Sequence, residues 1–354
     1  MMFLAQLLHK AKIKYREEEK IWFYKYKIDM GINAKWSKFE KIKYNRLGFT
    51  NEDYHLFDLK HNDFHEYISY RERLRLEDIN GRFAYILGEK LMFERLFGNY
   101  INVPHIFCWI KNGRPIDLET GEEVDLLSII QSVEKLIVKP TRSSGGGAGV
   151  HKICIEKNEY FIDEKKVLKE ELLQTAFLWE GSIIVDYINQ AEYSNNIYSE
   201  TTNSIRVVTV KRKNGEYEVV LVFHRFGCEN SKPVDNICSG GLVTLVDIST
   251  GKLGKAKRIT EPEKEYSVHP DTQEPIEGIL IPNWEALKEK LIQVHRCFSY
   301  YTFLAWDVVI NDIGVPYILE INRGTDLNVQ LIKPLRNDEI GRFMDEYGLL
   351  DKHR

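Results

Sequence analysis

Long apolar runs are missing from these 354 residues. No stretch approaches the roughly 18–20 consecutive apolar residues that a membrane-spanning helix needs. Cysteine is scarce and scattered: Cys108, Cys154, Cys228, Cys238 and Cys297 never fall into a CxxC spacing. That leaves neither a zinc site nor a disulfide framework, and a reducing cytoplasm fits best. An excess of one charge is missing too, with 49 Lys and Arg against 53 Asp and Glu, a net charge of −4. The totals therefore give no reason to expect nucleic acid as a partner. Repeats, low-complexity tracts and long linkers are absent. Met1 to Leu8 is apolar but short, has no positive region before it and runs into a charged helical pattern, so no signal peptide is expected.

What is present is a composition with 43% hydrophobic and 29% charged residues, that of a soluble globular chain. The length allows a large core and two or three lobes. From Lys10 to Arg46, twelve Lys and Arg stand against five Asp and Glu, interleaved with Trp22, Phe23, Tyr24, Tyr26 and Trp36. One reading is a surface for an anionic partner such as membrane or polysaccharide. The reading preferred here is an amphipathic helical layer whose aromatics pack inward and whose lysines are solvated. After residue 80 the pattern predicts a helix over 84–97 carrying Lys90 and a short strand ending at Trp109. A helix over 128–135 follows, then strands over 136–139, 151–156, 180–188, 204–211, 217–226 and 242–248, and a helix over 284–299. The order suggests an α+β body with mostly antiparallel sheets.

Two motifs carry chemistry. In the first, Trp306 to Asn322, two β-rich runs flank an Asn311-Asp312-Ile313-Gly314 turn signal. With Asp307 opposite residue 318 or 320, alternation puts Asp307, Glu320 and Asn322 on one face. Two carboxylates and a carboxamide make an all-oxygen site suited to Mg²⁺. In the second, Lys139-Pro140-Thr141-Arg142-Ser143-Ser144-Gly145-Gly146-Gly147-Ala148-Gly149, a lysine ends a strand and a glycine-rich loop follows. Such a loop lets backbone N–H groups approach an anion closely. No Gly-Lys-Ser/Thr ending is present, and His151 to Ile155 reads as a strand, so neither a Walker-type loop nor a dinucleotide fingerprint applies.

Together these motifs resemble the ATP-grasp superfamily of carboxylate–amine ligases. Asp307, Glu320 thirteen residues later and Asn322 resemble its Mg²⁺ ligands, which bridge ATP phosphates. Lys139 and Lys90 match its two phosphate-binding lysines, and Ser143, Ser144, Gly145, Gly146 and Gly147 its flexible flap. Ile184-Val185-Asp186-Tyr187-Ile188 is similar to the strand whose backbone reads adenine, and Glu192 falls where a ribose-binding acid is expected. The helical N-terminus, Thr202 to Thr209, and Val234-Asp235-Asn236 before Ser239-Gly240-Gly241 resemble the sugar-transfer-associated, teichuronopeptide-biosynthesis-like branch. One departure stands out: where many amide ligases of the superfamily carry an arginine two residues before the first metal acid, this chain has Ala305. Arg206 is the candidate replacement, and His224 and Arg225 are further candidates for substrate contact.

The resemblance implies an ATP-grasp fold of two α+β subdomains with a helical extension over residues 1–80. An α+β segment over 81–135, a glycine-loop subdomain over 136–190, a C-terminal subdomain with the metal site over 191–335 and a tail over 336–354 would follow. It implies ATP and Mg²⁺, with two ions expected, and an acyl-phosphate route in which Arg206 and Lys139 are catalytic. The expected substrates are a small carboxylate and an amine, sugar-linked in the branch, in a cytoplasmic step of surface-polysaccharide synthesis. Peripheral contact with membrane or a glycosyltransferase stays open. The alternatives are a kinase acting on a sugar hydroxyl and a nucleotide-binding partner without turnover.

Overall fold

Runs of β-branched and aromatic residues at period two become fourteen strands among the residues described, 38–142 and 147–352, in the computed structural model. The basic aromatic segment lies largely outside these residues. The chain divides into two units, residues 80–325 and the residues before and after them.

The larger unit holds two seven-stranded antiparallel sheets. The first contains β1 (Ile106–Lys111), β2 (Arg114–Ile116), β3 (Lys135–Pro140), β4 (His151–Glu156), β5 (Glu159–Ile162), β6 (Lys165–Val167) and β7 (Ser182–Asp186), in the order β2-β1-β7-β3-β4-β5-β6. Leu126, Ile130, Leu172 and Ala176, from helices Leu126–Val133 and Lys169–Ala176, pack against Leu136, Val138 and Ile153 of this sheet.

The second sheet contains β8 (Ile205–Lys211), β9 (Tyr217–Phe226), β10 (Leu242–Val246), β11 (Leu253–Arg258), β12 (Glu261–Tyr266), β13 (Phe303–Ile310) and β14 (Pro316–Asn322), in the order β12-β11-β10-β9-β8-β13-β14. Its core face carries Val207, Val222, Trp306 and Val308 against Leu287, Leu291 and Val294 of helix Trp284–Cys297. Strands β5, β6, β11 and β12 were not expected. Charged residues fill alternate positions of β11 and β12, which hides the apolar half of the pattern, while β5 and β6 are only four and three residues long.

The helix expected over 84–97 is broken. A 3₁₀ segment, Gly81–Tyr85, is followed by Gly88 at φ +85°, a conformation that ends a helix, and the α-helix starts afresh at Lys90. Lys90 is thus a first-turn residue, and its N–H donates to Thr141 O at 2.8 Å. The β13–β14 hairpin forms with Asp307 opposite Glu320, one of the two expected partners, but the pairs nearest the turn run in a different register. Asp307 pairs with Glu320 but Val308 pairs with Ile318, so Leu319 is an extra, bulged residue. In an uninterrupted register Asp307 would face Leu319, and Glu320 would turn to the core side.

The smaller unit is helical. Helices Lys38–Arg46, Asn51–Leu56 and Tyr70–Glu77 join a C-terminal helix, Glu339–Glu346. Thr50 with Asp53 and Ser69 with Glu72 form capping boxes. The buried Glu72 is matched by Arg336 at 2.9 Å, which keeps its charge paired. Among the described residues no helix is long and apolar enough to cross a membrane.

Candidate active site

Four adjacent strands of the second sheet send polar side chains to one cavity. Asp307 on β13 is opposite Arg206 on β8 and Glu320 on β14, while Ala305 is opposite Asn322. Directly opposed residues share a face, as do residues two apart along a strand. Arg225 joins them because Phe223, two residues earlier on β9, is opposite Arg206. The same alternation sends His224 to the other face, opposite Ile205, where it is fully buried. Burial pushes its imidazole down to about 3, and it bonds Tyr193 Oη at 2.9 Å. His224 is a core residue.

The first sheet supplies Ile137 and Lys139 from β3 and Val185 and Asp186 from β7, and Lys90 comes from the start of its helix. Phe93 and Phe97 of that helix are buried in the second sheet's core, with Phe97 edge-on to Trp306, so Lys90 is held at the cavity wall. The cavity measures about 320 Å³, within the roughly 300–1,000 Å³ of small-molecule sites.

The charges are closely coupled. Arg206 donates Nε to Asp307 Oδ1 at 2.5 Å and Nη2 to Oδ2 at 3.0 Å, a bidentate pair in which both side chains are under a tenth exposed. Arg225 Nη2 lies 3.3 Å from Asp307 Oδ1. Asn322 Nδ2 donates to Asp307 Oδ2 and Glu320 Oε1, both at 3.2 Å, and Lys90 Nζ is 3.1 Å from Glu320 Oε2. Burial alone would raise the Asp307 carboxyl, but Arg206 and Arg225 outweigh it and hold Asp307 well below the usual carboxylate range. Lys139 Nζ donates to the carbonyl of the bulged Leu319 at 3.4 Å. Its ammonium is pushed down to about 8, first by burial and then by Lys90, with Glu320 and Asp307 opposing.

Of the residues singled out from sequence, Lys90, Lys139, Gly147, Asp186, Ile188, Arg206, Asp307, Glu320 and Asn322 line this cavity. Ser143, Ser144, Gly145 and Gly146 lie outside the described residues. Gly147, at φ +78°, leaves no room for a methyl, since a Cβ would fall 2.6 Å from Val234 Cγ1. The glycine loop therefore meets the 231–236 segment directly. Tyr187 is not among the lining residues; its ring is flanked by the ammonium groups of Lys135 and Lys152. Glu192 opens helix Glu192–Ile197, is exposed and does not line the cavity.

Sequence reasoning gave no role to Ser204 or Asp235. Asp235 Oδ2 accepts from Ser204 N at 2.8 Å and Ser204 Oγ at 2.5 Å, and Arg225 Nε lies 3.5 Å away. The signals were the motifs Thr202 to Thr209 and Val234-Asp235-Asn236, which say nothing about the two segments meeting. Among the described residues no three His, Cys, Asp or Glu side chains gather into a metal site, so the candidate cation site rests on two acids and the Asn322 carboxamide.

The family model described as sugar-transfer associated ATP-grasp matches residues 70–337. The chain belongs to this ATP-grasp family. Its α+β architecture of two antiparallel sheets lining one cavity is the ATP-grasp fold. Among solved structures, the ATP-grasp chain is similar to the ligase PsnB complexed with minimal precursor, at 13% identity and TM-score 0.41 over 77% of this chain and 64% of that one. An L-amino acid ligase from Bacillus licheniformis gives 11% identity and TM-score 0.40, covering 75% and 48%. A D-alanine–D-alanine ligase from Bacillus anthracis gives 14% and 0.36, covering 75% and 63%. This chain thus spans less than two thirds of each of those proteins. No curated protein matched the sequence.

Proposed function

We propose that this chain is an ATP- and Mg²⁺-dependent carboxylate–amine ligase that couples an amino acid or other amine to a uronic or similar sugar acid in surface-polysaccharide synthesis. The supporting observation is the row of Arg206, Asp307 and Glu320, opposite one another on three adjacent strands, at a cavity that Lys90 and Lys139 also line. Asp307, Glu320 and the Asn322 amide, turned to present its oxygen, form an all-oxygen donor set that fits Mg²⁺. These residues would hold one or two ions, which would neutralise charge on the nucleotide phosphates.

Lys90 and Lys139 would meet phosphate oxygens. Pro104, Ile137, Val185 and Ile188 give the cavity an apolar wall suited to adenine. A carboxylate becomes a good electrophile once the γ-phosphoryl of ATP is transferred to its oxygen and ADP leaves. The amine then attacks the carbonyl carbon, the C–N bond forms, and phosphate departs. The protein's task is to align the reactants and offset charge. Arg206 Nη1 carries no hydrogen bond to the described residues, whereas Nε and Nη2 are held by Asp307. It is therefore oriented and still able to donate to a developing oxyanion, the part that the absent arginine at Ala305 plays in other ligases. The contact of Gly147 with Val234 supports a flap that shields an acyl phosphate from water.

The test is a panel of uronic acids and amino acids incubated with ATP and Mg²⁺. ADP, free phosphate and an amide product are expected. A phosphorylated acceptor would make the protein a kinase, and ATP binding without acceptor-dependent turnover would make it a nucleotide-binding partner of an assembly complex.

Nucleotide affinity should also depend on pH in a definite direction. Lys139 is cationic below about 8 and loses its charge above it. ATP binding measured by calorimetry should therefore weaken as the pH rises through that value, and Lys139→Arg should flatten the dependence because a guanidinium keeps its proton. An unchanged slope in that variant would remove Lys139 from the phosphate site.

A further inference from the structure

The cavity wall formed by Ser204, Arg225 and Asp235 has no part in handling the nucleotide as described above. Both hydrogen bonds that Asp235 accepts end on Oδ2, and Oδ1 accepts none from the described residues although the side chain lines the cavity. Arg225 comes within 3.5 Å of the carboxylate but directs its Nε and Nη2 hydrogens to Ser204 Oγ, at 3.1 and 2.5 Å. Only 13% of the Asp235 side chain is exposed. Oδ1 is not sealed from water, so a donor entering the cavity would replace solvent there, and a cationic donor gains most.

Position narrows the ligand. Arg225 lies between Asp235 and Asp307, 3.5 Å from the first and 3.3 Å from the second. A group on Asp235 Oδ1 is therefore one guanidinium away from the acid assigned to the metal. The neighbouring Val234 is the residue against which Gly147 rests, so a ligand there would lie close to Gly147.

We infer that Asp235 anchors the ammonium group of the second substrate, an amine that binds in its protonated form, yields one proton to the Asp235 carboxylate as its nitrogen becomes the nucleophile, and loses a second with the departing phosphate. This rests on the ligase reading. Burial raises the Asp235 carboxyl, with Arg225 and the Ser204 hydrogen bonds pulling the other way, and a cation on Oδ1 would relieve that burial. Asp235 also fixes the 231–236 segment to Ser204, but Oδ2 alone performs that task.

Asp235→Asn separates the two roles, because the amide oxygen can still accept from Ser204 while the charge is lost. With ATP and the carboxylate saturating, the amine KM should rise about tenfold to a hundredfold, the cost of losing one charged hydrogen bond. The KM values for ATP and carboxylate should stay within about twofold on the same scale of effects. A folded variant with an unchanged amine KM would overturn the assignment. Should the variant fail to fold, the wild-type chain decides. An analogue with hydroxyl in place of the amino group should not compete with the amine, and competition equal to the amine's would overturn ammonium recognition. Absence of any amine-dependent ADP release in the wild-type chain would instead bring down the ligase reading, and this inference with it.

Discussion

Replacing Glu320 by Gln should abolish turnover while lowering the melting temperature by only a few degrees. The substitution is isosteric and keeps an oxygen near Asn322 Nδ2, 3.2 Å away in the native chain. What it removes is the negative charge that pairs with Lys90 at 3.1 Å and completes the donor set with Asp307. A metal that offsets developing charge contributes several kcal/mol, and about 4 kcal/mol corresponds to roughly a thousandfold in rate. ADP release by Glu320→Gln should therefore fall by about that factor or more. The side chains of the pair with Lys90 are only 10% and 19% exposed, so removing the carboxylate charge should also cost about 1–3 kcal/mol of stability. Turnover within tenfold of wild type would remove Glu320 from the metal site.

The second large effect is on Arg206. Asp307 is almost fully buried, and both of its oxygens are held by that one guanidinium. Removing Arg206 leaves this buried carboxylate only Arg225 at 3.3 Å and the Asn322 amide at 3.2 Å, so the cost should lie near the lower end of about 3–5 kcal/mol. Arg206→Ala should thus lower the melting temperature by roughly 10 °C and also eliminate activity. Arg206→Lys should recover part of the stability but little activity, because an ammonium cannot reproduce the fork. In the double variant Arg206→Ala/Asp307→Asn, stability should return toward wild type, since the stranded charge is gone. Unfolding scans at neutral pH on wild type, Arg206→Ala, Asp307→Asn and the double variant test this, and additive losses would refute the pairing. The sign with pH is fixed as well. Asp307 is held below its ordinary range in the folded chain, so the pair's contribution is present at neutral pH and fades as the pH falls through the acidic range.

How far the sequence could be read depends on the range of the interaction. The hairpin was legible because its polar residues sit at period two within β-rich runs, and the glycine loop because such a run has few uses. Lys90 lines the same cavity as the other candidate residues, but the sequence put it in the middle of a helix that it in fact begins. Apolar spacing continues across Gly88, and only the positive φ there shows the break. Arg206 was identified as a replacement for the arginine absent at Ala305, but not as Asp307's direct neighbour. That depends on β8 lying beside β13 with residues 206 and 307 in register. The choice between Arg225 and His224 depended on the same register, since one residue along a strand reverses the face. Asp235 was least legible, because its partner Ser204 is 31 residues away and the segment between them holds β9.

Leu319 sets a rule for anyone who rebuilds this hairpin. The turn and the three pairs next to it obey one register, and the pairs from Asp307 outward obey another. A redesign that shortens the loop to an ideal hairpin and irons out the bulge would give a tidier ladder. It would also roll Glu320 into the apolar layer and withdraw the carbonyl that receives Lys139. The resulting protein would strand a carboxylate in its core and lose stability along with its centre. Grafting the centre onto another scaffold therefore means transplanting the irregularity with it.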